Sequence, residues 1–210
     1  MRVGSSCLST GGTVYTVTKK WIHPEYAPNL LNDVGLLKIA PSCFCSPPSV
    51  TLNRDRSFPS TTGHPLTVIG FGRTAEGGGP SEILQKLGVG FVNDDECATK
   101  YGSFDQNIKM CADKDGGGTC QGDSGSPLLN VDSVTGAISQ VGIVSYGIDS
   151  CASNYPDYYA RVSSFVDWVE ATMSTEMSTF GPDREPVLSF LRTNSMQWIE
   201  SMSSYLFAGY

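Results

Sequence analysis

The chain has 210 residues, 40% of them hydrophobic, and a formal net charge of -7 from 14 Lys and Arg against 21 Asp and Glu. That length allows one domain of two sub-cores, or one domain with a tail, and the apolar content is enough to bury a core. No basic cluster suits a phosphate backbone, so nucleic acid is not an expected partner, and no apolar run approaches the ~20 residues that span a bilayer, so no membrane span is expected.

Met1-Arg2-Val3-Gly4-Ser5-Ser6 contains no apolar stretch of the kind a secretory signal requires. Short segments rich in Val, Ile, Thr and aromatics then recur between Gly, Pro, Asn and Ser clusters, at residues 13–22, 34–39, 66–71, 84–92, 140–146 and 158–162. This rhythm predicts an all-β sandwich or barrel. Residues 40–64 are rich in proline, carry two cysteines and lack periodicity, which predicts a connector between two β sub-domains. Helices are predicted at residues 94–101 and 164–173. The second places Phe165, Trp168, Val169 and Thr172 on one face, with Ser163 or Ser164 as its cap. Past residue 173 the composition changes. Gly181-Pro182-Asp183 breaks the chain, and residues 184–205 can form an amphipathic helix through Val187, Leu188, Leu191, Trp198, Ile199 and Met202, an appended tail expected to pack on the body or to extend from it.

Seven cysteines with no Cys-x-x-Cys pair, beside only two histidines, fit disulfides better than a zinc site. Disulfides imply an oxidising compartment, so a secreted or extracellular protein is expected although the first residues hold no signal. No metal and no other cofactor is expected.

The stretch that carries chemistry is Gly118-Thr119-Cys120-Gln121-Gly122-Asp123-Ser124-Gly125-Ser126-Pro127. A serine between glycines and behind an aspartate suits a nucleophile. Tight turns at the glycines present its hydroxyl and aim the Gly122 and Ser124 N–H groups at one point, where a tetrahedral oxyanion can sit. An ordinary Gly/Asp/Ser turn has the same composition, so the loop needs support from the rest of the chain. The elbow of an α/β-hydrolase would need Gly-x-Ser-x-Gly, and its last position here is Ser126.

From Val3 to about Met173 the chain resembles the trypsin/chymotrypsin-like serine proteases through several motifs in the family's order. Trp21-Ile22-His23-Pro24-Glu25-Tyr26 followed by Asn32-Asp33-Val34-Gly35-Leu36-Leu37-Lys38-Ile39 is similar to the family's His-Pro loop and the strand bearing its catalytic aspartate, the role the resemblance gives Asp33. Gly70-Phe71-Gly72 and residues 85–92 are similar to the start of its second barrel. Ser145-Tyr146-Gly147 resembles the strand that runs beside bound substrate, and Tyr155-Pro156-Asp157-Tyr158-Tyr159 the segment closing the specificity pocket. The resemblance implies a chymotrypsin-like double β-barrel with its first barrel incomplete, then a C-terminal helix and the tail. Residues 1–173 form the peptidase domain, divided into a first-barrel remnant (1–45), a connector (46–64) and the second barrel with its helix (65–173); residues 174–210 are the extension. It also implies disulfides Cys97–Cys111 and Cys120–Cys151, with a third family pair lost together at Leu66 and Asn130. Cys7, Cys43 and Cys45 remain unassigned.

In such a fold the expected reaction is acyl transfer: Ser124 attacks a peptide carbonyl, a histidine takes its proton and Asp33 orients that histidine. The family's catalytic histidine lies upstream of the strand that Arg2-Val3-Gly4 begins, and neither His23 nor His64 stands at that position. The expectation is therefore a serine endopeptidase, inactive as this stretch alone, acting on protein or peptide substrates and open to protein protease inhibitors. A non-catalytic homologue serving as a binding module is the alternative. Asp123 is expected to support the oxyanion loop, taking up a proton or turning to another partner where no ammonium meets it. The pocket position where trypsin-like relatives carry aspartate is Gly118, while Asp157 stands where most carry glycine, so Gly118, Ser145, Gly147 and Asp157 are expected to line a pocket of basic or mixed preference.

Overall fold

In a computed structural model, the described residues are 1–27, 30–40, 49–101, 105–148, 151, 155–178 and 206–207. The chain opens on two short strands, β1 (Arg2–Val3) and β2 (Thr13–Val14), which pair with each other. Next come β3 (Val17–Ile22) and β4 (Gly35–Ile39), antiparallel from Val17 opposite Ile39 to Ile22 opposite Gly35. The single strand predicted over 13–22 is thus two. Buried Tyr15 marks the break: its N–H donates to the Met1 carbonyl and its carbonyl accepts from the Met1 amine, both at 2.7 Å. Those bonds turn β2 toward β1 and leave β3 for β4.

The predicted connector holds a short strand, β5 (Thr51–Leu52), and Cys43 and Cys45 of that segment lie outside the described residues. Leu52 explains the strand, since its side chain is buried in the core between the two sheets. After it come β6 (Pro65–Gly70), β7 (Gln85–Val92), α1 (Asp94–Tyr101), β8 (Lys109–Asp113), β9 (Pro127–Val131), β10 (Ile138–Tyr146) and β11 (Asp157–Arg161). Six of these strands, in the ring β6-β7-β8-β11-β10-β9, close a barrel, and β5 lies parallel to β10 outside it. The fold is all-β and chymotrypsin-like, as expected. Four barrel strands follow the predicted segments; β8 and β9 were not predicted. β8 is buried on both faces at Lys109–Ala112 and so shows no alternation, and β9 starts on a proline directly after the serine loop.

The barrel is filled by Leu66, Val68, Phe91, Met110, Leu128, Val144 and Tyr159, among others. A second core joins Val34 and Leu36 of the N-terminal sheet to Ile143 and Ala160 on the barrel's outer face and to Phe165, Val166 and Val169. Alternation does this: Val144 and Tyr159 point in, and their neighbours Ile143 and Ala160 point out. Burying each such side chain contributes about 1.5–3 kcal/mol, and this second core sets where Asp33 sits against the barrel.

α1 follows its predicted bounds and is capped by Asn93, whose Oδ1 accepts the Glu96 N–H at 2.8 Å. The C-terminal helix differs. A 3-10 turn over Val162–Ser164 precedes α2 (Val166–Ser178), so the helix starts later and runs past residue 173. Neither predicted serine caps it. Ser164 Oγ donates to the Asn107 carbonyl, and Ser163 Oγ is buried without a partner. The residues predicted as a helix at 184–205 lie outside the described residues; Leu206–Phe207 form a last short strand, β12, antiparallel to β4.

Candidate active site

The serine loop enters β9 and is held on β10. Asp123 N–H donates to the Cys120 carbonyl at 3.0 Å and Ser126 N–H to the Asp123 carbonyl at 2.8 Å, closing two consecutive turns. Gly122 at φ 98° and Gly125 at φ 84° supply the left-handed backbone these turns need. Gly125 N–H then donates to the Val144 carbonyl and Val144 N–H to the Ser126 carbonyl, both at 2.9 Å. Ser124 stands between these anchors and is exposed. Among the described residues no carbonyl accepts from the N–H of Gly122 or of Ser124, the two donors expected to face an oxyanion.

Asp33 reaches the same place from the other sheet. It is 4% exposed, and its Oδ2 accepts a hydrogen bond from Ser145 Oγ at 2.5 Å. Ser145 directly follows Val144, so one strand holds the serine loop at one residue and the buried carboxylate at the next. Local backbone at Asp33 is shaped by Asn32 at φ 51°, whose side-chain amide donates to the Glu25 carbonyl at 3.0 Å. Nothing in the sequence signals that Ser145 binds Asp33; Ser145 is expected there only beside the substrate.

The two histidines stand elsewhere in contact terms. His23 packs on Phe165 and Trp168, at ring centroid distances of 5.5 and 4.9 Å, and burial lowers its pKa, partly opposed by the Glu25 charge. His64 Nε2 lies 3.0 Å from Asn130 Oδ1, and its ring meets Phe58 edge-on. Neither bonds to Asp33 or Ser124. Asn130 is one of the two positions expected to have lost a cysteine. Thr67 pairs with Leu129 across β6 and β9, and the same register sets Leu66 opposite Asn130.

Asp123 turns to backbone donors. Its Oδ1 accepts the Gly72 N–H at 2.9 Å and its Oδ2 the Cys120 N–H at 3.0 Å. Glycine at residues 70 and 72 makes room for it, because a Cβ at Gly70 would lie 2.1 Å from Asp123 Oδ1 and one at Gly72 2.4 Å from its Cγ.

Disulfides join Cys97 to Cys111 and Cys120 to Cys151. Cys7 is free. The second bridge braces the serine loop against the segment after β10.

Asp157 begins β11 and is 8% exposed. One oxygen accepts the Thr119 N–H at 2.6 Å, and the other would lie 2.8 Å from a Cβ at Gly147. Burial pushes its pKa up to about 6; the Thr119 bonds oppose this, and the charges of Asp113 and Asp123 add to it. Gly118, Thr119, Gly147 and Asp157 are thereby brought to one place, with Ser145 two residues from Gly147. Thr119 was missed at the sequence level, since its contribution is a backbone donor and any residue type supplies that. No group of three or more His, Cys, Asp or Glu among the described residues could hold a metal, and no helix among them is long and apolar enough to cross a membrane.

The trypsin family model matches residues 1–169. Trypsin-1 of Astacus astacus is 38% identical over 160 residues, covering 74% of this chain and 66% of that protein. Trypsin beta of Drosophila erecta is 35% identical over 175 residues, covering 80% and 66%. The Clotting factor G beta subunit of Tachypleus tridentatus is 30% identical over 193 residues, covering 81% and 60%. The chain thus spans just under two thirds of the length of these two trypsins, and less of the clotting factor subunit.

Proposed function

The chain belongs to the trypsin family of serine proteases, and on that premise we propose that it is the larger part of a serine endopeptidase that cleaves proteins or peptides by acyl transfer. The observation that carries this reading is the joint attachment of Asp33 and the Ser124 loop to adjacent residues of β10. Ser124 is the nucleophile, Asp33 orients and stabilises the base, and the N–H groups of Gly122 and Ser124 receive the oxyanion. The base is a histidine supplied by sequence outside this chain, because His23 and His64 are both engaged away from the two residues. Its ring would take the place on Asp33 now held by the Ser145 hydroxyl or share that carboxylate with it.

Asp123 holds the oxyanion loop through Gly72 and Cys120, which supports an ordered loop rather than a collapsed one. Gly118, Ser145, Gly147 and Asp157 line the pocket for the residue before the scissile bond. A buried carboxylate 2.6 Å from one backbone donor, with no cation bonded to it among the described residues, favours Lys or Arg there, since a guanidinium or ammonium would restore the balance that burial upsets. Residues 1–173 form the peptidase domain and residues 174–210 its extension. The two disulfides and the family support an extracellular protein with protein substrates, and with protein protease inhibitors as further partners.

The test is hydrolysis of peptide anilides by the full-length protein, with Ser124→Ala as control. Hydrolysis that falls by about 10³-fold or more in the variant, to the residual level left by binding and oxyanion donors, is the expected result. A full-length protein that neither hydrolyses peptides nor reacts at Ser124 with a fluorophosphonate would overturn the proposal and leave a binding module.

A further inference from the structure

Lys109 is 7% exposed at the start of β8, and among the described residues no carboxylate lies within ion-pair distance of it. Its ammonium donates to Tyr146 Oη at 3.1 Å. The same nitrogen stands 4.9 Å from the centroid of the Tyr146 ring and 5.7 Å from that of Tyr158, and the two rings stack at 4.4 Å with 21° between their planes. An ammonium carries three donors and no acceptor. One phenol oxygen and two ring faces, at about 0.5–2 kcal/mol each for the rings, fall short of the several kcal/mol that removing such a cation from water costs. The cation is therefore under-compensated.

Tyr146 leaves a second polar function open. The Tyr158 ring stacks on that of Tyr146 and leaves the Tyr146 hydroxyl facing the Lys109 ammonium. Tyr146 Oη accepts from Lys109, and its own proton remains to be given to an acceptor. Its position matters as much. Tyr146 lies between Ser145, which bonds Asp33, and Gly147, against which Asp157 sits. At these residues β11 flanks one side of β10, with Tyr146 opposite Tyr158, while β9 pairs only as far as Ile143 and the serine loop as far as Val144. Among the described residues nothing pairs with the other edge of the strand at 145–147. A peptide added to that edge runs past Tyr146.

We propose that Lys109 and Tyr146 form a subsite for an acidic side chain of the substrate, two to four residues N-terminal to the scissile bond. The inference rests on the endopeptidase reading above. A Glu or Asp carboxylate at that position accepts from the Tyr146 hydroxyl and supplies the anion that Lys109 lacks. Together with Asp157 this makes the cleft bipolar: a cation is selected before the scissile bond and an anion a few residues upstream.

The test uses the full-length protein and peptides that carry either Glu or Gln at each of those three positions in turn, with otherwise equal sequence. Wild type should prefer Glu at one of them on the order of tenfold in kcat/KM, the size of one charge-assisted hydrogen bond. Lys109→Met should bring that ratio to about 1, while Lys109→Arg should keep the preference. Binding of the same peptides with a non-cleavable bond is measured by calorimetry in parallel. Equal cleavage of Glu and Gln peptides at all three positions by wild type, or a preference that survives Lys109→Met, overturns the subsite and leaves the peptidase standing. Preferential binding of a Glu peptide that no variant cleaves supports the subsite and sinks the peptidase reading. Absence of both binding and cleavage overturns the two together.

Discussion

Asp157→Asn isolates the charge of the carboxyl proposed to line the pocket from its shape. The native carboxyl has its pKa pushed from 3.8 to about 6, first by burial and then by the charges of Asp113 and Asp123, against the pull of the Thr119 bonds. A rise of that size corresponds to roughly 3 kcal/mol between native and unfolded states. Its sign follows from proton binding. Between about pH 4 and pH 6 the native protein holds a proton that the unfolded chain releases, so the wild type loses stability as pH rises through this window and stays lowered above it. Asparagine cannot ionise and still accepts the Thr119 N–H. The variant should therefore gain on the wild type between pH 4 and pH 6, reaching a plateau of up to about 3 kcal/mol at pH 7 relative to the offset at pH 3.5. Urea unfolding followed by the fluorescence of Trp21 and Trp168 measures this. An offset that does not change with pH, or one that moves against the variant, would show that the charged carboxylate is well solvated by its donors and would refute the argument for a cation in the pocket. In the active protein the same titration appears as a ratio: kcat/KM for an Arg peptide over that for a Leu peptide should fall as pH drops through about 6, and shared groups cancel.

Two further substitutions probe what holds the site in place. Gly72→Ala puts a Cβ 2.4–2.5 Å from the Asp123 carboxylate, so the loop must move; a loss of about 1–3 kcal/mol is expected, with peptide hydrolysis falling more than melting temperature suggests, and an unaltered hydrolysis rate would mean Asp123 does not set the oxyanion donors. Arg161→Leu removes a 3% exposed guanidinium that donates to Asp94 Oδ1 at 2.6 Å and to the carbonyls of Gln106 and Lys109 at 3.1 and 3.2 Å. Burial raises the Asp94 pKa even with Arg161 beside it, so the lone carboxylate should cost about 3–5 kcal/mol, and adding Asp94→Asn should recover part of it; a thermal melt within about 2 °C of wild type would refute this.

Motif residues were legible because their chemistry forces their identity. Glycine at residues 70 and 72 is required by the Asp123 carboxylate, and glycine at 122 and 125 by positive φ, so the sequence around Ser124 carries its own geometry. The barrel was legible where one face is buried and the other is not, as in the segments of β6 and β7, and illegible in β8, where four consecutive residues are buried. Contacts between distant residues left no local mark. Ser145 and Asp33 are 112 residues apart in the chain, Asp157 and Thr119 are 38 apart, and a hydroxyl or backbone donor in such a pair has no periodicity to betray it. Lys109 was passed over for a related reason: a lysine at a strand end reads as a solvated charge, and only the packing of Tyr146 and Tyr158 over it makes it a buried one.

What distance in sequence concealed, one strand assembles. Val144 anchors the serine loop, Ser145 holds Asp33, Tyr146 accepts from Lys109, and Gly147 yields its side-chain space to Asp157. Four consecutive residues thus meet four groups brought from different parts of the chain, and a β-strand can do this because its successive side chains leave on opposite faces while its backbone remains for pairing. The bulge between Val144 and Tyr146 adds a local turn at the point where these directions change. A substitution that removed the bulge would shift Tyr146 and Gly147 to the wrong faces together, uncoupling both proposed specificity contacts while leaving the Val144 anchor of Ser124 in place. Placement of the proposed nucleophile and the proposed specificity contacts are separable along this strand for that reason.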